Sequence, residues 1–410
     1  MTMTREMGVA DSNDGQTARQ GIEPEATRYS WYMLGVLVVV YILNFIDRQI
    51  VSILAVDIQR DLGIDNSDMG FLMGAAFGVF YALFGIPLGR LADNWSRVKL
   101  LSIGLALWSA MTVLSGFAKN FGQLGLARMG VGIGEATASP SAYSLISDSF
   151  PKRQRATALA IYSSGLYIGG GVSLLIGALI KDNWDKAFPG GGPLDLVGWQ
   201  AAFVAVGLPG LLVALWVFSL REPTRGAMDG TPVVVSPTPF RDFVYDLSTI
   251  VPPFTLYGAL RRGAGALVVN LIAAGVMALF AWGMIGLTGN RPQWLAVAIG
   301  FYAVFSWATN LRARDPATFA LIWGTPAFIS TALGYGLIAL SSYGLAAWTA
   351  PYAELVLGLP KTELAFWIGA MSALSGFLGV ILGGRLADHL HSSNPAGRII
   401  VIMIGVLGPV

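Results

Sequence analysis

Gly89-Arg90-Leu91-Ala92-Asp93 recurs, residue for residue, as Gly384-Arg385-Leu386-Ala387-Asp388. The offset is 295 residues, and it holds upstream without a gap. Gly74-Ala75 maps onto Gly369-Ala370, and Leu62-Gly63 onto Leu357-Gly358. Ser67 maps onto Thr362, and each can cap the helix that follows it. Both copies of the pentapeptide come just after an apolar stretch of roughly 20 residues, the length of a membrane-spanning helix. One span and its flanks are therefore duplicated, as expected of a membrane protein built from two related halves. Six spans with short loops need only about 190 residues at that length, so a surplus lies between the halves.

Composition agrees. Of 410 residues, 54% are hydrophobic and only 12% charged, and mean hydropathy is +0.62. A soluble domain carries about 25% charged residues. The 51 glycines suit close helix–helix approach in lipid. No cysteine is present, which removes disulfide and thiolate chemistry. His389 and His391 sit beside a predicted loop, so neither a metal site nor another cofactor is expected. Nothing resembles a phosphate-binding loop or a hydrolase elbow, and no nucleic-acid partner is indicated. Residues 1–30 read as a disordered cytoplasmic tail, too polar for a signal peptide.

Apolar stretches fall near 31–55, 69–89, 99–118, 124–148, 156–180 and 199–220, then 264–287, 293–311, 318–352 and 364–387. With the N-terminus inside, 18 of the 26 Lys and Arg lie on the inner side, six outside and two within spans. That asymmetry obeys the positive-inside rule and predicts an integral protein of the cell (inner) membrane with a cytoplasmic N-terminus. The expected fold is all-α and polytopic. Its parts are a six-helix N-terminal bundle over 31–221, a linker with two extra spans over 222–316, and a partial C-terminal bundle over 317–410. In the linker, Phe240, Phe243, Val244 and Leu247 follow helical i, i+3, i+4, i+7 spacing ahead of Pro252-Pro253. This predicts an amphipathic helix on the inner membrane face. Ile399–Val410 is too short to span, so the second bundle reads as incomplete.

Charges within spans carry the function. Asn44, Asp47 and Arg48 share an arc of about 100° on the first span. Arg128, Glu135 and Ser139 form a stripe on the fourth. An ionised group at mid-bilayer costs at least ~2.5–3.5 kcal/mol, so it faces a partner or a wet cavity. Span one runs outward and span four inward, which puts Asp47 and Arg128 at one depth and predicts an Asp47–Arg128 pair. A carboxylate near Arg⁺ stays ionised, whereas a desolvated one takes up a proton. Asp47 and Glu135 are thus the candidate proton carriers, with Arg128 as their partner. The alternative is a permanent ion pair that fixes helix packing. Arg48 either pairs locally or reaches the outer surface.

The stretch Gly89–Lys99 resembles the loop between helices two and three of the major facilitator superfamily, with Ser96 where that loop usually has glycine. Leu124–Ala136, with Arg128, Gly132 and Gly134, is similar to that superfamily's helix-four motif. Asn44–Arg48, Leu91–Arg97 and Arg128–Ala136 are further similar to the spinster-type lipid transporters. This likeness covers roughly 31–180 and is architectural beyond. It implies a fold of two pseudo-symmetric helical bundles. It also implies alternating access and proton-linked movement of a lysolipid or sphingoid-type lipid, with antiport preferred, by a monomer. An inner gate is implied at Gly89, Arg90, Asp93, Arg97, Asp148, Arg385 and Asp388. The glycine-rich fifth span is loosely similar to an antiporter motif but lacks its proline.

The second half offers apolar and aromatic surface where the first offers charge, which suits an amphiphile with an anionic head. Candidate substrate contacts are Arg128, Asn44 and Arg48, with Tyr143, Tyr162, Tyr343 and Trp348 as lining residues. Organic-anion symporters also carry Asn-x-x-Asp-Arg in helix one, so proton symport of a small organic anion stays open. So does a membrane sensor or scaffold without flux.

Overall fold

The structure, a computed structural model, describes residues 25–230, 235–394 and 396–407. Most of the predicted N-terminal tail lies outside these residues. Among the described residues there is no strand.

Helix α1 (Arg28–Leu62) starts where the Thr27 hydroxyl accepts the Ser30 N–H, and it ends at Gly63 in the left-handed region (φ 64°). The second span bends at Gly74 into α2 (Asn66–Met73) and α3 (Ala75–Asn94). Ser96 caps α4 (Arg97–Ser115). The fourth span is not one helix. It is α5 (Phe121–Glu135) followed by α6 (Ala138–Ser149), so the Arg128–Glu135–Ser139 stripe is broken after its second member. Then come α7 (Lys152–Ala187) and α8 (Gly198–Phe218). The linker forms α9 (Pro239–Ile250) and α10 (Phe254–Arg262), and the two extra spans are α11 (Ala264–Thr288) and α12 (Arg291–Arg314).

The long stretch expected over 318–352 is also divided, into α13 (Pro316–Trp323) and α14 (Pro326–Leu355). Thr325 is extended (φ −102°, ψ 104°) because the following Pro326 ring disfavours helical backbone there. The chain continues through α15 (Lys361–Ser393) and α16 (Gly397–Leu407). Among the described residues nine helices are long and apolar enough to cross a membrane, counting α2 and α3 together. α5 and α6 are each too short alone.

In the first half α1 packs along α7, and α4 lies between α5 and α8. Gly134 touches the α4 backbone, where an added Cβ would stand 2.8 Å from the Gly104 carbonyl oxygen. That contact fixes how closely the fourth span approaches the third. α9 does not simply lie on the membrane. It docks on protein, with Phe243 against Leu88 and Leu91 and Ile250 against Leu83 and Ala303. The second half meets the first chiefly through the ends of α14 and α15 farthest from the basic loops. The buried residues of α14 are Ala350, Pro351 and Ala353, and α15 buries Leu364 and Ala365. Below them, Gly171 of α7 and Gly369 of α15 bring two backbones into contact.

Candidate functional site

The intramembrane charges converge between α1 and α5, which long side chains bridge. Asp47 is 2% exposed and Glu135 is fully buried, as are Asn44 and Arg128 to within 2%. Arg48 Nε donates to Glu135 Oε2 at 2.6 Å. Its guanidinium also lies over three rings, 5.0 Å from Phe45 and 4.8 Å from both Phe77 and Tyr81. Such contacts hold a desolvated cation well. The α5 backbone stops at Glu135, and the Thr137 hydroxyl turns back to the Gly134 carbonyl at 2.8 Å. The carboxylate is thus presented from a helix end.

This differs from the expected pairing. Arg128 does not bond the Asp47 carboxylate; its Nη1 donates to the Asp47 backbone carbonyl at 3.2 Å. Arg48, left undecided from sequence, is the ion-pair partner of Glu135. Several buried polar atoms have no hydrogen-bond partner: both side-chain heteroatoms of Asn44, Asp47 Oδ1, Arg128 Nε and Glu135 Oε1. The Thr112 hydroxyl and Trp108 indole nitrogen of α4 face Asp47 closely enough to act on its carboxylate but without well-formed hydrogen-bond geometry. Burying such groups unpaired is costly, so the cluster has capacity for water, protons or a ligand.

A cavity of about 70 Å³ opens beside it, lined by Arg48, Gln49, Ser52, Phe77 and Arg128 of the first half and by Tyr343 and Ala347 of the second. Two guanidinium groups therefore face one space that both halves enclose. Tyr143, Tyr343 and Trp348 are exposed. Tyr162 is not at the surface. It is 1% exposed, stacked on Tyr41 at 4.3 Å and edge-on to Tyr143 at 5.7 Å, so it backs the wall rather than forming it. A larger apolar groove of about 400 Å³ lies elsewhere, between α3, α5 and α12, far from the charges in character. No group of His, Cys, Asp and Glu suited to a metal ion occurs among the described residues.

The basic loops form a second charged region. Arg97, expected in an inner gate, is fully buried. It bonds Asp148 and also Glu222, at 2.7 Å from Nε, with a further bond to the Pro223 carbonyl at 2.8 Å. Glu222 accepts the Val98 N–H at 2.9 Å and the Ser96 hydroxyl at 2.8 Å, so it caps α4. Burial works against its ionised form. The Val98 N–H, Arg97 and Ser96 outweigh that and hold its pKa below the usual carboxylate range. Arg90 bonds both oxygens of Asp246 on α9 at 2.8 Å, and Arg314 of α12 reaches the same carboxylate at 3.1 Å. Arg90 and Arg97 are therefore held by the linker and by Asp148, not by the second half. Gly89 sits near Pro140, Asp93 and Arg385 are exposed, and the Asp388 side chain lies outside what is described. Sequence reasoning missed Glu222 and Asp246, because a carboxylate in a polar linker is no anomaly.

Residues 37–410 match the model of the Major Facilitator Superfamily. The chain belongs to that superfamily. Major facilitator proteins are transporters, and this chain is not an enzyme. It is 26% identical to an MFS-type efflux pump of Mycolicibacterium smegmatis, over 93% of this chain and 90% of that protein. It is 24% identical to Protein spinster of Drosophila melanogaster and 26% identical to human Protein spinster homolog 1, over 93% and 92% of this chain. The chain spans about half the length of those two relatives, 49% and 58%. Among solved structures it is similar to a bacterial homolog of the human lysosomal transporter Spinster, in an inward-facing and occupied conformation. Identity there is 27%, coverage 91% of this chain and 89% of that one, and TM-score 0.47. By these alignments the major facilitator chain is similar to spinster proteins over most of its length.

Proposed function

We propose that this major facilitator protein is a proton-coupled transporter that moves an amphipathic anion of the lysolipid or sphingoid type by alternating access. The observation that carries the reading is the buried group of Asp47, Arg48, Arg128 and Glu135, with unpartnered atoms, beside a cavity that Tyr343 of the other half also lines. The cavity has room for a head group of a few atoms. The exposed Tyr343 and Trp348 offer apolar surface for a tail. Protonation of Glu135 would remove the charge that holds Arg48 and free its guanidinium for an anion. Asp47, which lacks an ionic partner, is the second proton carrier, and Asn44, one helical turn before Asp47 on α1, lies beside Glu135. In antiport, protons loaded on Asp47 and Glu135 neutralise the empty site and accompany its return. The face with the basic loops is cytoplasmic on this reading, the membrane is the cell (inner) membrane, and the working unit is a monomer.

A second reading is proton symport of a small organic anion. The shared arginine favours it, since an anion on Arg48 releases Glu135 to take a proton and both then travel together. Part of the chain, 48%, is also 30% identical to a probable galactarate/D-glucarate transporter of Bacillus subtilis.

The test is paired flux in proteoliposomes, for the parent and Asp47→Asn, with labelled lysolipid or galactarate and internal pH followed together. Lysolipid flux that follows a pH gradient in the parent and uncouples in the variant supports the proposal. Galactarate flux alone moves the assignment to symport. Binding of either without flux removes the transport reading.

A further inference from the structure

Besides the packing of α15 on α7, the two halves are joined by an ion cluster at the face opposite the basic loops. Lys361, the first residue of α15, is 7% exposed, and Asp57, one turn before the end of α1, is 9% exposed. Lys361 bonds Asp57 across the two halves, and within its own half it reaches Glu354 of α14 at 3.3 Å. Asp57 in turn is 3.5 Å from Lys181 of α7, a residue of its own half, and Lys181 also touches Asp182 and Asp185 at 3.4 and 3.3 Å. Among the described residues, Lys361–Asp57 is the ion pair that joins the halves. Beneath it the Ser52 hydroxyl of α1 donates to the Ala347 carbonyl of α14 at 2.6 Å, and Ser52 and Ala347 both line the central cavity.

The geometry points to a partner-exchange lock that closes the cavity toward this face. Breaking a buried ion pair is normally expensive because it strands a charge. Here neither charge is stranded. When the halves part, Asp57 keeps Lys181 and Lys361 keeps Glu354. One ion pair and the neutral Ser52–Ala347 hydrogen bond are lost, each half stays internally ion-paired, and the electrostatic cost of opening is kept small. The two lysines then act in opposite directions. Lys361 stabilises the closed form, while Lys181 stabilises the open form, in which it is the partner left to Asp57. This rests on the alternating-access reading, but not on the identity of substrate or coupling ion.

The chain has no cysteine, so a single reporter is free of background. Ser52→Cys is combined with each lysine variant, and a membrane-impermeant maleimide is added to the face that carries Lys361. Lys361→Gln should raise the labelling rate by about fivefold, the shift for loss of one modest ion pair. Lys181→Gln should lower it below the parent, and Lys361→Arg should restore the parent rate. A variant that merely unfolds can only raise labelling, so the fall with Lys181→Gln separates a gate from a folding defect. Changes of the same sign in both glutamine variants, or no change in either, overturn the lock. Labelling reads the gate and not flux, so this outcome is distinguishable from any failure of the transport proposal.

Discussion

The centre of the first bundle and its basic-loop clasp are built from the same residue types, arginines and carboxylates, yet they account for their polar atoms in opposite ways. In the clasp, Arg97 spends its nitrogens on Asp148, Glu222, Ser144 and the Pro223 carbonyl, and Asp246 uses both oxygens on Arg90. In the centre, Asn44, Asp47, Arg128 and Glu135 each leave a buried atom unpartnered. A saturated network is rigid and specifies one arrangement. An unsaturated one has atoms to offer a proton, a water or a substrate head group. The difference separates a part that holds the bundle together from a part poised to change partners.

Four measurements would break or sharpen that contrast. The largest effect is expected from Arg97→Met, which strands Asp148 and Glu222 near a buried position. Thermal unfolding in detergent should show a loss of about 3–5 kcal/mol, the usual result of removing one partner of a buried pair. Unchanged stability would erase the distinction. Next, Glu135→Gln should cut transport about a hundredfold, or ~2.7 kcal/mol of barrier, while lowering stability less than Arg97→Met does. Equal destabilisation by both would make the centre structural. Third, Asp246→Asn weakens two charge-assisted contacts, and its cost of roughly 1.5–3 kcal/mol should appear as faster amide exchange confined to α9 and the inner end of α12.

The smallest effect concerns pH. Glu222 has its folded pKa depressed. Its stabilising contribution is therefore complete above the unfolded value of about 4.3 and is lost as pH falls through the lower folded value. Glu222→Gln should flatten the acid limb of the stability curve below about pH 4. A parent curve that is already flat there would show that Glu222 is not engaged.

Which residues matter at the centre was legible, because a charge inside an apolar span stands out. Which of them pair was not. Asp47 and Arg48 are neighbours in sequence and point about 100° apart on the helix. A small rotation of α1 against α5 decides whether Asp47 or Arg48 faces the fourth span, and no local pattern encodes that rotation. The stop of α5 at Glu135 was equally hidden, since Ala136-Thr137-Ala138 is compatible with continued helix. The break after α13 had a visible signal in Thr325-Pro326, although hydrophobicity runs on across it. Tyr162 could not be told from a lining residue, because a tyrosine serves equally as wall or as core. Asp57 and Lys361 looked like ordinary charges at span ends.

By itself, then, the sequence determined the all-helical membrane architecture, the duplicated span with its basic loop, the superfamily and the set of buried charges. Each is a local consequence of moving a chain out of water, where backbone must bond internally and a charge is an anomaly that shows. The tertiary structure alone decided that Glu135 belongs to Arg48, that the linker holds Arg90 and Arg97, and that Lys361 closes on Asp57. Ion pairs are non-local and depend on helix rotation and depth to within a few ångströms, so only the packed bundle specifies them.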